Sequence, residues 1–195
     1  MASPEKDVPA IRRPMTLPGG PSTEERRAAM MRVDHAGEVG AVRIYQGQLA
    51  VLGAQAATAG TAAAIRSMAA QEARHLETFD KLLRERAVRP TALRPLWDVA
   101  GFALGAATAL MGERAAMACT VAVEEVIEEH YGRQAEALSG TDPELEAVVR
   151  EFGADEAAHR TEALDHGAKE APGYRLLSGA IKAGCRLAIK LSEKI

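Results

Sequence analysis

With 195 residues, the chain is long enough for one domain with a real core and short for two. Hydrophobic residues make up 47% of it and charged residues 26%, which excludes a disordered chain, and a net charge of −3 removes any global reason to expect nucleic acid. Aromatics reach only 4% while the helix formers Ala, Leu, Glu and Arg abound, so an all-α fold is expected.

Residues 1–22 carry Pro4, Pro9, Pro14, Pro18, Pro21 and the pair Gly19-Gly20, which reads as an extended, poorly ordered arm before a domain over 23–195. The arm has no apolar core of the secretory type. Helical phasing starts at Ser22-Thr23-Glu24-Glu25, where a capping residue precedes acidic side chains, and predicts a first helix to about Gln55. A second helix runs from Gly60-Thr61 to about Arg86 and stops before Pro90. A third starts after Pro95 and is almost wholly apolar over 99–111. A fourth covers about Glu113 to Leu138. Asp142 as cap and Pro143 as first residue open a fifth, expected to reach about Lys169. After Pro172-Gly173 a tail helix covers about Tyr174 to Lys194. Four long helices with one long connection make a ferritin-like four-helix bundle, here with an apolar crossover helix and an additional C-terminal amphipathic helix.

Two of these helices repeat a pattern. Helix two contains Glu72-Ala73-Arg74-His75 and helix five Glu156-Ala157-Ala158-His159. Residues i and i+3 share a helix face, so each pair can grip one metal side by side. One Glu-x-x-His alone is most simply a solvated face. Phase argues otherwise here, because the pairs fall inside the apolar stripes Ile65, Met68, Phe79, Leu82 and Leu145, Val149, Phe152, Ala163. An uncompensated charge there is expensive, and a cation compensates it. A di-metal bundle needs one further Glu from each remaining helix. Glu38 shares a face with Ala41, Tyr45 and Leu52. Glu124 lies with Met117, Thr120, Tyr131 and Leu138, and Glu128 on the same face is a second candidate. Glu38 precedes Glu72 by 34 residues and Glu124 precedes Glu156 by 32, so the two halves follow one plan. Four carboxylates and two imidazoles form a hard donor set that favours iron or manganese.

The runs Arg32-Val-Asp-His-Ala-Gly-Glu38, Gln71-Glu-Ala-Arg-His75, Arg89-Pro-Thr-Ala-Leu-Arg-Pro-Leu-Trp97, Ala118-Cys-Thr-Val-Ala-Val-Glu-Glu125 and Leu164-Asp-His166 resemble the demethoxyubiquinone hydroxylase family over about residues 28–195. The resemblance implies metal ligands at Glu38, Glu72, His75, Glu124, Glu156 and His159. It implies two iron ions per chain, O₂ as co-substrate, NADH as electron donor, and hydroxylation of the ring of a demethoxyubiquinol. Implied partners are a polyprenyl quinol, a lipid surface, accessory proteins of ubiquinone biosynthesis and a second copy of the chain; nucleic acid is not among them. The expected location is the cytoplasmic face of a bacterial inner membrane. Another ferritin-like di-iron oxidase, a ferroxidase or iron-handling protein, and a metal-free interaction bundle are the alternatives. The last leaves the inward carboxylates unexplained.

Asp34, Tyr131 and His166 are the residues expected to support the ligands through hydrogen bonds, since ligating histidines pass their other nitrogen to a carboxylate or carbonyl. His35, His130 and Asp165 lie near them; for His35 and His130 capping or surface roles weigh equally. Cys119 and Cys185 lack metal-type spacing and read as buried thiols. The apolar stretch 99–112 is 14 residues long, short of the roughly 20 that span a bilayer, so it is either a buried crossover or a segment lying in the membrane. The tail favours lipid: Leu176, Leu177, Ile181, Leu187, Ala188 and Leu191 form an apolar side, with Arg175, Lys182, Arg186 and Lys190 on another. Trp97 and Tyr174 begin the two segments, where interfacial aromatics sit.

Overall fold

The computed structural model describes residues 20–194, so all but the last three residues of the predicted N-terminal arm lie outside the described residues. Its helices are α1 (Thr23–Leu52), α2 (Ala59–Glu85), α3 (Arg94–Leu110), α4 (Glu113–Leu138), α5 (Pro143–Asp165) and α6 (Tyr174–Ser192), with 3₁₀ turns at Ala56–Thr58 and Ala168–Glu170. No strand occurs among the described residues. The all-α, ferritin-like expectation holds.

Local chemistry sets the helix ends. Ser22 accepts the Glu25 amide at 3.1 Å while its own amide donates to the Glu25 carboxylate at 2.6 Å, a reciprocal cap that satisfies two otherwise orphaned donors. Asp142 caps α5 through the Leu145 amide, and the same carboxylate takes two bonds from Arg86 at the end of α2. One side chain thus starts a helix and ties it to its neighbour. Helix α3 begins one residue before Pro95, because a proline in the first turn lacks only an N–H that has no helical partner anyway. Helix α5 ends earlier than expected, at Asp165. Gly167 takes a left-handed φ of 77°, and the chain continues as a 3₁₀ turn that buries Ala168.

The buried residues of α5 are Leu145, Val149, Phe152, Glu156, His159 and Ala163, the stripe read from the sequence. The α2 stripe through Ile65, Met68, Glu72, His75, Phe79 and Leu82 is buried as well. These faces close on α1 and α4, and α4 is the most enclosed helix, with every residue from Ala115 to Glu124 buried. Helix α3 crosses over α1 by backbone contact: a Cβ on Gly105 would lie 2.0 Å from the Ile44 carbonyl oxygen, and one on Gly47 would lie 2.2 Å from that of Phe102. Only glycine permits that approach. With its small residues inward, α3 exposes Leu96, Val99, Phe102 and Leu110, and Met111 just after it is exposed too, so this chain does not enclose the crossover helix. Helix α6 lies on α4 through Ile181, with Lys182 and Arg186 paired to Glu125 and Glu129 of α4.

Candidate metal centre

Six side chains from four helices meet in the bundle interior. Glu38 comes from α1, Glu72 and His75 from α2, Glu124 from α4, and Glu156 and His159 from α5. None is more than 2% exposed. Their donor atoms form two overlapping groups, Glu38–Glu72–His75–Glu156 and Glu72–Glu124–Glu156–His159, each with all atoms within 4.8 Å of one another. Glu72 and Glu156 belong to both groups, which is the placement two bridging carboxylates require. Glu128, the second candidate on α4, instead pairs with Arg160 at 2.8 Å.

Hydrogen bonding leaves this set incomplete. Glu38 Oε2, both oxygens of Glu72, His75 Nδ1, Glu124 Oε2 and Glu156 Oε1 are buried without a hydrogen-bond partner. One orphaned polar atom in a core costs about 1–3 kcal/mol, so a cluster of them facing one space persists only with compensation. Two hard divalent cations would supply it, and the O/N donor set suits iron or manganese. The residues present fit a di-metal centre.

The tyrosines sharpen that fit. Tyr45 of α1 donates to Glu124 Oε1 at 2.6 Å, and Tyr131 of α4 donates to Glu38 Oε1. Each phenol therefore occupies one oxygen of a terminal carboxylate and leaves the other free. Burial, reinforced by the nearby carboxylates, pushes both phenols well above their usual range, so they stay protonated donors. The acids divide the available protons. Burial raises Glu38 and Glu124 well above the ordinary carboxylate range, and the charges of Glu72 and Glu156 raise them further. Burial also acts to raise Glu72, but the nearby imidazoles of His159 and His75 outweigh it and hold Glu72 at about 2. Burial opposes charge on the histidines; the surrounding carboxylates win, raising His75 and bringing His159 to about 9. In the metal-free fold, protons take the places of cations.

Both imidazoles turn Nδ1 toward the carboxylates and Nε2 away. His159 Nδ1 lies 3.0 Å from Glu72 and 3.1 Å from Glu156, and His75 Nδ1 lies 3.3 Å from Glu156. His75 Nε2 donates to Asp155 at 3.0 Å and His159 Nε2 donates to Gln71 at 2.6 Å. Sequence reasoning did not single out these two outer partners. The available signal was position: each is the residue immediately before a bridging glutamate, about 100° round its helix and so beside the neighbouring helix. Of the three expected supporting residues, Tyr131 touches a ligand. Asp34 is buried but bonds to His130 and Gln134. His166 bonds to Glu162 and approaches Thr61 at the far end of α5.

The sequence as a whole is similar to known proteins. The family described as ubiquinone biosynthesis protein COQ7 matches residues 25–192. The chain belongs to the COQ7 family. It is 54% identical over 179 residues to the 3-demethoxyubiquinol 3-hydroxylase of Rhodospirillum rubrum, covering 92% of this chain and 83% of that one. It is 50% identical over 170 residues to the human mitochondrial NADPH-dependent 3-demethoxyubiquinone 3-hydroxylase (85% and 76% covered). The 5-demethoxyubiquinone hydroxylase of Saccharomyces cerevisiae is 38% identical over 181 residues, with 85% and 77% covered. The matched COQ7 region contains all six candidate ligands.

Proposed function

We propose that this COQ7-family chain is a di-iron monooxygenase that hydroxylates the ring of a demethoxyubiquinol with O₂ in ubiquinone biosynthesis. The observation that carries the reading is the pair of overlapping, buried ligand groups with orphaned polar atoms. Iron bound there supplies the oxygen activation that protein side chains lack. Glu72 and Glu156 stand between the two positions, Glu38 and Glu124 close their ends, and Tyr131 and Tyr45 fix those end carboxylates. Phe152 stacks on His75 with ring centroids 3.8 Å apart, holding the imidazole plane and keeping water from it.

The substrate reading rests on an apolar cavity of about 570 Å³ between α1, α3, α4 and α6. Gly37 and Ala41 beside Glu38, and Val123 beside Glu124, form part of its wall, and Leu104, Ile181 and Ala188 line it further out. A prenylated ring entering by this route has its tail against aliphatic walls and its head toward the ligand-bearing stretch of α1 and α4. Helices α3 and α6, which wall this cavity, also carry exposed apolar residues, with Leu176 83% and Leu187 57% exposed. No helix among the described residues is long and apolar enough to cross a membrane. Attachment to a lipid surface through these two helices, as a peripheral protein, would present the cavity to a lipid-confined substrate. For the electron donor we propose NADH. A second cavity of about 580 Å³, lined by Arg26, Arg133, Arg186 and Lys190 and reaching His130, offers cations for its phosphates.

Incubating the iron-loaded protein with ¹⁸O₂, reductant and a short-chain demethoxyquinol tests the reading by mass spectrometry. Gain of one labelled oxygen in the ring is expected. Iron oxidation and mineral growth with no quinol turnover would sink it in favour of iron handling.

A further inference from the structure

The two halves of the centre correspond residue by residue. Glu38 of α1 matches Glu124 of α4, and each is followed seven residues later by the tyrosine that binds the other, Tyr45 and Tyr131. Glu72 and His75 of α2 match Glu156 and His159 of α5. The outer partner of each histidine also sits at a matching place, one residue before the bridging glutamate of the opposite helix. There the chemistry differs. His75 donates to the carboxylate of Asp155, whereas His159 donates to the neutral amide oxygen of Gln71.

We infer that this difference ranks the two metal positions: Asp155 makes the one built on Glu38 and His75 the tighter, and Gln71 leaves the one built on Glu124 and His159 the weaker. A carboxylate that accepts the Nε2–H raises the electron density at Nδ1, which strengthens that nitrogen as a donor to a cation. It also adds a negative charge beyond the shared glutamates. A neutral amide orients the ring equally well, at a shorter distance, without adding charge. Asp155 is 34% exposed in its side chain, so water screens part of its charge, and the expected ranking is at the low end of the about 10- to 100-fold that outer partners contribute to metal affinity. Other contacts leave the rank in place. The terminal carboxylates each hold one tyrosine, and the bridging carboxylates are common to both positions. Asp155 and Gln71 are positioning residues, acting through the histidines.

This inference rests on the two-metal reading and is independent of the substrate. Its test is an anaerobic cobalt(II) titration of the full-length metal-free protein, followed by visible absorption and calorimetry. Cobalt takes the same O/N donors and reports its ligand geometry in its spectrum. Two resolved steps are expected, separated by about tenfold. Asp155→Asn should weaken the first step by about tenfold and leave the second in place, and Gln71→Glu should tighten the second step until the two merge. A role confined to shape would leave Gln71→Glu without effect. One unresolved step with two equivalents bound by the native protein would overturn the ranking while keeping the di-metal centre. Loss of affinity at both positions alike in Asp155→Asn would also overturn it. Failure to bind cobalt at all would remove the di-metal reading itself. Should Asp155→Asn not fold, Gln71→Glu decides alone, by whether the second step tightens.

Discussion

The bundle centre and the α3–α6 flank invert each other's logic. At the centre, charged side chains stand in apolar stripes and point inward; on the flank, large apolar side chains stand on the surface while glycines point inward. Either would be a fault in an ordinary globular protein. Together they show that each region lacks something the protein itself does not provide. The centre lacks positive charge, because six of its donor atoms are orphaned. The flank lacks an apolar covering for Leu96, Val99, Leu110, Met111, Leu176 and Leu187. On the proposed function, cations would complete the first and lipid the second.

The sharpest way to break the comparison is to remove a bridging carboxylate. Glu156→Ala should abolish stable binding of both ions, a loss beyond the about 10- to 100-fold caused by losing an outer partner. Iron stoichiometry after anaerobic ferrous loading measures it, and retention of two equivalents would show that the ligands lie elsewhere. On the flank, Gly105→Leu should disrupt the α1–α3 contact, since even its Cβ would meet backbone at 2.0 Å. A cost of about 3 kcal/mol, the upper end for overpacking, is expected in urea unfolding. Gly60→Ala is its control: nothing lies within 4 Å of that Cβ, and the helix should gain up to about 1 kcal/mol.

Lipid dependence separates the regions more finely. Leu176→Ser with Leu187→Ser should lower vesicle co-sedimentation by about 10- to 100-fold, equivalent to losing the full burial of one leucine. Iron stoichiometry should not change; unaltered vesicle binding would show that α6 does not meet lipid. The smallest effect is one of pH. His159 titrates near 9 in the metal-free fold against an ordinary value of 6.5, so protonation favours the folded state. That contribution is whole below about pH 6.5 and is lost as pH rises through 9. Glu38 and Glu124, also raised, act in the same direction. Thermal melts of the metal-free protein should therefore show stability falling across this window. Iron loading should remove the slope, because the bound ions take over the protons' role.

Much of the centre was legible because a helix has a phase. In α2 and α5 the interval of three residues inside an apolar stripe put each Glu and His on the buried face, and the structure places them there. The end carboxylates were harder to read, since α4 offers both Glu124 and Glu128 on one side. Helical phase does not separate them; the family resemblance chooses Glu124, and the packing of α5, which gives Glu128 the partner Arg160, agrees with that choice. Asp34 and His166 lay close in sequence to ligands, but closeness along a helix does not choose a hydrogen-bond partner; Asp155 and Gln71 were placed against the histidines by the neighbouring helix.

Sequence alone therefore determined the helices, the inward phase of α2 and α5, and the chemical class of the centre, because capping, periodicity and donor type are local properties. Tertiary structure decided the rest. A nearly all-apolar segment such as α3 has no phase to read, so whether its leucines or its glycines face the bundle depends on where backbones approach closely. The glycine contacts with α1 settle that orientation. The same holds for the histidines' outer partners and for the cavity, which exist only where residues far apart in the chain are brought within a few ångströms.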